Sequence, residues 1–128
     1  MNSISEIASP DAPRAIGPYS QAVTWGGLLF VSGQLPLDPI SGAIVSDDPT
    51  EQLAQCLKNI DAIARSAGAS INHAVKTTIF LTDLSTFPQL NERYAEFFSK
   101  PFPARACVEV SAIPKSAKVE IEAIIALP

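Results

Sequence analysis

The chain has 128 residues, 47% of them hydrophobic and 17% charged, which suits one folded domain over residues 1–128 and excludes a disordered protein. Its net charge of −4, with no cluster of lysine and arginine, argues against nucleic acid as a specific partner. No apolar run is long enough to span a membrane and the first residues lack the pattern of a signal peptide, so we expect a cytoplasmic protein without a membrane partner.

The N-terminal segment predicts a short edge strand and a long irregular loop. The strand is expected within residues 1–8. In the loop that follows, residues 9–19, three prolines and a glycine preclude regular structure. Tyr19 ends this loop, and it is either an anchor that holds the loop to the sheet or part of a ligand site.

A β-hairpin is the next predicted feature. Two β-type runs, residues 22–25 and 28–33, flank the pair Gly26-Gly27, which is a two-residue hairpin signal. Ser32 and Gly33 end the second run. They offer a hydroxyl group and a backbone amide that a ligand can approach closely.

The rest of the chain predicts two helices and three strands. The helices are expected at residues 49–67 and 87–98, and the strands at residues 74–82, 104–110 and 119–125. The order along the chain is therefore helix, strand, helix, strand, strand. Asp48 is expected to cap the first helix and Gly68 to end it. Asn91 lies near the start of the second helix, off its apolar stripe.

This element order predicts an α+β fold, with one mixed sheet of five or six strands and two helices packed on one face. Alternation along the last two strands predicts that their apolar residues face the helices. The polar residues of these strands would then share the other face: Arg105, Cys107, Glu109, Glu120 and Glu122. If the two strands paired as a simple hairpin, Glu120 would lie opposite Glu109.

The face away from the helices is expected to carry apolar side chains as well, namely Trp25, Phe30, Phe80 and Ile124. A monomer would leave this mixed face in water, and apolar exposure of that extent usually marks an interface. We therefore predict a homo-oligomer in which the polar groups lie in clefts between subunits. An ordinary solvated sheet face is the alternative.

The polar residues of the last two strands favour a site for a small carboxylate. The guanidinium of Arg105 fits a carboxylate in bidentate fashion, unless it merely neutralises Glu109 or Glu120 as an internal ion pair. Glu120 could orient or deprotonate a water molecule. Cys107 is not expected to be a nucleophile, because nearby carboxylates would raise its pKa and no histidine is available as a base. The sequence shows no phosphate loop, dinucleotide fingerprint or metal constellation, so we expect neither a cofactor nor a metal.

Seven segments in this order form a recognisable set: AIGPYSQ at 15–21, VSGQ at 31–34, KTTIFLTDL at 76–84, NERYAEFF at 91–98, FPARACVEV at 102–110, IPK at 113–115 and VEIEA at 119–123. Together they closely resemble the RidA (YjgF-type) family of reactive-intermediate deaminases. The resemblance implies a chorismate-mutase-like fold and a homotrimer with a central β-barrel and sites between subunits. It also implies cofactor-free hydrolysis of enamines and imines, such as 2-aminoacrylate and 2-iminobutanoate, to 2-keto acids and ammonia.

The resemblance further implies a role for each candidate residue. Arg105 would bind the substrate carboxylate, Glu120 would position the attacking water, and the backbone at Cys107 would contact the imine nitrogen side. The remaining residues would shape the pocket: Ser32, Gly33, Asn91 and, from the neighbouring subunit, Tyr19.

The segment 99–102 departs from the family pattern, because it is shorter than the loop in many relatives and is expected to change one wall or the lid of the cleft. Relatives without the arginine do other things, so the presence of Arg105 favours the deaminase branch. Two alternatives remain open within the same family: binding of a keto acid without turnover, and a chaperone-like or ribonuclease-like role.

Overall fold

One six-stranded sheet carries two helices on one of its faces in the computed structural model, which describes residues 3–128. In chain order the elements are β1 (Ser5–Ile7), β2 (Ala22–Trp25), β3 (Leu28–Gln34), α1 (Pro49–Ser66), β4 (Ala74–Leu81), α2 (Phe87–Ala95), β5 (Ala104–Glu109) and β6 (Val119–Ala126). The predicted order and the α+β architecture are confirmed. The predicted edge strand is β1, although residues 1 and 2 of that segment lie outside the described range.

The order of strands across the sheet is β1-β2-β3-β6-β4-β5. The last two strands do not pair as a simple hairpin, because β4 lies between them, so Glu120 is not opposite Glu109. The crossover through α2 makes β4 and β5 parallel, whereas β6 returns antiparallel along the other side of β4. The hairpin of β2 and β3 around Gly26-Gly27 is confirmed, with Gly26 at a φ of 62°.

Paired residues on neighbouring strands point to the same side of a sheet. Arg105 pairs with Thr77, which pairs with Ala123, and both of these partners are buried beneath the helices. Glu120 pairs with Phe80 on the opposite side. Arg105 and Glu120 of one chain therefore lie on opposite faces of the sheet, and the prediction that they share a face is wrong.

The same correction holds for the rest of β5. Cys107 and Glu109 pair with Ile79 and Leu81 and so lie on the helix side. The small apolar residues of β5, expected in the core, lie on the other side, where Val108 is 43% exposed. Alternation correctly separated the residues of β5 into two sets, one for each face of the sheet. It assigned the apolar set to the core, but that set lies on the side away from the helices, because β5 is an edge strand with apolar residues on the side that no helix covers.

The face away from the helices, called here the open face, carries the apolar residues that were predicted for it. Trp25 and Phe30 are 51% and 38% exposed there, and Phe80 and Ile124 are partly buried. Glu120 lies among them, and Glu122 is exposed beside it. A single chain thus presents an apolar surface with two carboxylates to its surroundings.

The core lies between the helix side of the sheet and α1. Asp48 caps α1 by accepting a hydrogen bond from the Thr50 backbone N–H at 2.9 Å, and Gly68 follows the helix at a φ of 79°, as predicted. Cys56 is fully buried in this core. α2 ends at Ala95 and not near residue 98. Within residues 3–128, no helix has the length and apolarity needed to cross a membrane.

Gln21 holds the irregular loop of residues 9–19 against the sheet. Its buried amide oxygen accepts a hydrogen bond from the backbone N–H of Ser9. Its amide nitrogen donates to the carbonyl groups of Ser9 and Pro13, the latter at 2.8 Å. One side chain therefore satisfies backbone groups at Ser9 and at Pro13, in the first half of a loop that has no regular structure.

We expect Gln21→Ala to lower the free energy of unfolding by about 2 kcal/mol, because buried backbone groups in the loop would lose their partner. Urea denaturation at a fixed protein concentration measures this loss. Gln89→Ala, at an exposed position of α2, is the control and should change stability by less than about 0.5 kcal/mol. Equal effects of the two substitutions would contradict the role of Gln21.

Candidate active site

Arg105 lies in an aromatic and amide cage built by α2. Its guanidinium carbon is 4.9 Å from the ring centroid of Tyr94 and 5.2 Å from that of Phe87. Its Nη1 donates to Oδ1 of Asn91 at 2.8 Å. These distances are within the range of cation–π attraction, so the guanidinium is held without a counter-ion.

The cage is anchored in the core through Tyr94. The Tyr94 ring is buried, and its hydroxyl group lies 2.7 Å from Oγ1 of Thr77, the residue that pairs with Arg105 across the sheet. Burial raises the pKa of Tyr94, while the Thr77 hydrogen bond and the Arg105 charge act against this rise. The neutral phenol therefore presents a fixed ring face to the cation.

The alternative that Arg105 is an internal ion pair is not supported by the geometry. Among residues 3–128, no salt bridge includes Arg105. Glu109 instead accepts a hydrogen bond from the backbone N–H of Leu84 at 2.8 Å, and Glu120 lies on the other face. The remaining donors of the guanidinium are available to a ligand.

A cavity of about 400 Å³ opens beside this guanidinium. It is lined by Asn91, Tyr94, Ala95, Phe102, Pro103 and Arg105. The segment 99–102, expected to alter a wall of the cleft, places Phe102 in that wall, 50% exposed. The cavity combines a free cation with aromatic surface, a combination that suits a small carboxylate bearing an apolar group.

Cys107 follows Arg105 by two residues and is partly buried against the core. Burial raises the pKa of its thiol, and the nearby Arg105 charge lowers it to a smaller extent. The pKa of Cys107 is raised, as expected, but burial causes the rise and the surrounding carboxylates do not. A thiol with a raised pKa is a poor nucleophile at neutral pH.

Glu120 lies on the open face against a β-bulge of β3. Val31 pairs with Ala123 and Gln34 with Ile121, so Ser32 and Gly33 together face the single residue Glu122. The Glu120 carboxylate packs over Gly33, where a Cβ atom would collide with Oε2 of Glu120. Burial, and secondarily the charge of Glu122, raise the pKa of Glu120.

Ser32 and Tyr19 lie near Gly33, the first next to it in β3 and the second in the lining of the same cavity. The hydroxyl group of Ser32 donates to the Ser20 carbonyl at 2.6 Å, so it fixes the end of the loop that carries Tyr19. Tyr19 is 50% exposed and, with Gly33, lines a cavity of about 240 Å³, called here the Tyr19 cavity. Tyr19 thus stands at an opening and does not anchor the loop in the core.

The candidate residues therefore form two separate groups in one chain. Arg105, Asn91 and Cys107 form one group on the helix side at the β5 edge. The second group is centred on the open face and the neighbouring loop, and comprises Tyr19, Ser32, Gly33 and Glu120. Within residues 3–128, no cluster of three or more metal-ligating side chains is present.

Sequence reasoning missed the cage around Arg105. Phe87 was not among the candidate residues, and Tyr94 and Phe102 occurred only within family motifs. The available signal was the spacing of Phe87, Asn91 and Tyr94, which places three side chains on one helical face.

Comparisons with known proteins agree with the fold and the motifs. The family model described as Endoribonuclease L-PSP matches residues 9–127. The RutC family protein y4sK of Sinorhizobium fredii is 59% identical over 97% of this chain and 98% of its own length. A 2-iminobutanoate/2-iminopropanoate deaminase of Salmonella typhimurium is 48% identical over 92% of this chain and 94% of its own.

Among solved structures, RidA from the Antarctic bacterium Psychrobacter superposes with a TM-score of 0.92 at 44% identity, covering 96% of this chain and 99% of that one. The match to the family model spans nearly the whole chain, and these relatives match over nearly their full length. The chain therefore belongs to the endoribonuclease L-PSP family, in which the resemblance to RidA is confirmed.

Proposed function

We propose that the chain is a hydrolytic deaminase of small enamines and imines of the 2-aminoacrylate and 2-iminobutanoate class, which it converts to 2-keto acids and ammonia. The observation that carries this proposal is the uncompensated Arg105 guanidinium, held by Asn91 and two aromatic rings beside an open cavity. The name of the Salmonella relative, a 2-iminobutanoate/2-iminopropanoate deaminase, supports the same chemistry.

The opposite placement of Arg105 and Glu120 supports a site shared between two copies of the chain. One copy would supply Arg105, and its neighbour would supply Glu120 with Gly33 and Tyr19. The apolar open face would be buried in the same assembly, which we propose is a homotrimer with the open faces forming a central barrel. Burial of Trp25 and Phe30 there would stabilise it.

The proposed reaction needs one water molecule. An enamine first takes a proton at its β-carbon and loses one from nitrogen, which gives the 2-imino acid, whose carboxylate binds Arg105. Glu120 accepts a proton from water as the new C–O bond forms at the imine carbon and the C=N electron pair moves to nitrogen. The same proton passes to nitrogen, which gives a carbinolamine. Glu120 then takes the proton of the new hydroxyl group and passes it to nitrogen as the C=O bond forms and the C–N bond breaks, which releases ammonia and the 2-keto acid.

Glu120 suits this role because its pKa is raised by burial and by Glu122. A carboxylate of higher pKa is a stronger base, and it remains ionised at neutral pH unless the rise is very large. Cys107 would contribute its backbone, and Asn91 would orient the guanidinium. We also propose a cytoplasmic location, because both cysteines carry unpaired thiols, which persist in a reducing compartment.

We expect Arg105→Ala to lower kcat/KM for 2-aminoacrylate by about a hundredfold or more, because the substrate carboxylate would lose its charged partner. The assay generates 2-aminoacrylate from serine with a dehydratase and follows keto acid and ammonia above the spontaneous rate.

The matched control for this assay is Arg93→Ala. Arg93 is also stacked on an aromatic ring, at 5.3 Å from the centroid of Phe97, but it lies outside the cavity and pairs with Glu96. Its replacement should leave kcat/KM within about twofold. Full activity of Arg105→Ala would contradict the proposed carboxylate contact.

We expect Gly33→Ala to lower kcat by about tenfold to a hundredfold, because the new Cβ would displace the Glu120 carboxylate, whose Cδ would lie 3.0 Å away. The thermal midpoint should change little, since the end of a flexible side chain can move. Gly27→Ala is the control, because nothing lies within 4 Å of a Cβ at that hairpin position. An unchanged kcat in Gly33→Ala would remove Glu120 from the reaction.

We expect kcat/KM to fall as the pH drops through the raised pKa of Glu120, so the acid limb should lie above the ordinary glutamate value of 4.5. Glu122→Gln removes a like charge, which lowers the pKa of Glu120 and shifts this limb to lower pH. Glu92→Gln, at an exposed carboxylate of α2, is the control and should not shift it. If the acid limb of the Glu122→Gln variant stays at the wild-type pH, Glu122 does not influence the pKa of Glu120.

Binding of a keto acid without turnover is the alternative that the Arg105 cage also permits, because the cage alone can bind a carboxylate. Calorimetric binding of 2-oxobutanoate with no ammonia release from any imine would favour it. The family model's name also prompts an RNA cleavage assay. Cleavage that disappears in Glu120→Gln would favour the ribonuclease-like alternative.

A further inference from the structure

The Tyr19 cavity contains two cations that the proposed reaction does not use. Arg14 and Lys115 line this space of about 240 Å³ together with Tyr19 and Gly33. Apolar residues complete the wall, among them Ile16, Leu35, Leu37 and Pro39. Gly33, over which the Glu120 carboxylate packs, is part of this lining, so the cavity and the Glu120 carboxylate share one boundary residue.

The charges in this cavity are uncompensated. Its lining includes no aspartate or glutamate, and neither Arg14 nor Lys115 takes part in a salt bridge within the described residues 3–128. Asp38 is flanked by the lining residues Leu37 and Pro39 but is not itself in the lining, and its carboxylate accepts hydrogen bonds from the backbone N–H groups of Ser41 and Ile40, which lower its pKa. Two cations that line one cavity without a salt-bridge partner among residues 3–128 favour an anionic ligand there.

The backbone that carries the two cations has a defined conformation before any ligand binds. Arg14 follows Pro13, whose carbonyl is bound by the buried Gln21. Lys115 has a left-handed φ of 60°, and Ser116 after it has a φ of 58°. Non-glycine residues in this conformation are costly, and they persist only where the surrounding structure holds them. Because the backbone at both residues is held, its ordering adds no further entropy cost when their side chains bind an anion.

We propose that the Tyr19 cavity binds the distal carboxylate of a dicarboxylic 2-imino acid, so that the chain prefers imines of acidic amino acids over those of neutral ones. The inference rests on the proposed function. Arg105 of one copy binds the first carboxylate, and the imine carbon lies at Glu120. The methylene groups of the substrate contact the apolar wall, and the second carboxylate reaches Arg14 and Lys115.

The chemical step is the same for both substrate classes. Water adds to the imine carbon and ammonia leaves, and the distal carboxylate takes no part in bond making or breaking. The cations therefore affect which substrate binds, and the expected signature is a change in specificity.

The test compares two imines made in situ by flavin amino-acid oxidases, one from aspartate or glutamate and one from alanine or 2-aminobutanoate. Hydrolysis is followed by the suppression of semicarbazone formation. In the wild type, kcat/KM should be higher for the dicarboxylic imine. In the double variant Arg14→Gln and Lys115→Asn, the ratio of the two values should fall about a hundredfold, or about tenfold for each charged contact. Asparagine is chosen because it tolerates the left-handed backbone.

The control is the double variant Lys58→Gln and Arg65→Gln, which removes two exposed cations from α1 and should leave the ratio unchanged. If the wild type hydrolyses the monocarboxylic imine but shows no preference, or if the Arg14 and Lys115 variant keeps the wild-type ratio, the inference is overturned and the proposed function stands. If the wild type hydrolyses neither imine, the proposed function fails.

Binding by the wild type decides the inference independently of turnover and of how the variants fold. Isothermal titration calorimetry with 2-oxoglutarate and with 2-oxobutanoate should give tighter binding of the dicarboxylate, by about tenfold or more, and this difference should shrink at high salt. Equal affinities, or no binding of the dicarboxylate, would overturn the inference.

Discussion

The position of β4 between β5 and β6 is the constraint on which the rest of the structure depends. Its parallel pairing with β5 and antiparallel pairing with β6 determine the side to which every residue of these strands points. Arg105 is thereby placed beneath α2, and Glu120 on the open face. No rotation of a side chain can bring these two groups together within one chain, because the sheet lies between them.

The two candidate groups are stabilised in different ways that suit different tasks. Arg105 has no salt-bridge partner within residues 3–128, and its guanidinium is contacted by two aromatic rings and by the amide oxygen of Asn91. Glu120 is destabilised as an anion by burial and by Glu122, which raises its pKa. A charged anchor and a strengthened base are the two elements that hydrolysis of an anionic imine requires.

Irregular structure positions the second group. The β-bulge at Ser32 and Gly33 leaves space for the Glu120 carboxylate, and the loop of residues 9–19 brings Tyr19 to the cavity that Gly33 lines. Gln21 holds the first half of that loop by bonding to its backbone at Ser9 and Pro13. The Tyr19 cavity therefore lies between the end of β3 and irregular segments that pack against it.

Local signals in the sequence were sufficient for the element order, the Gly26-Gly27 hairpin and the limits of α1. Those features depend on neighbouring residues, through turn preferences, capping and periodicity. The motifs also led to the correct family. The partners of each strand could not be obtained in this way, because alternation reports which residues share a face and not which face meets the helices. The crossover through α2 and the packing of distant segments determine which face of each strand meets the helices. They place Arg105 and Glu120 on opposite faces of the sheet, whereas alternation along residues 104–110 and 119–125 had predicted that the two residues share one face.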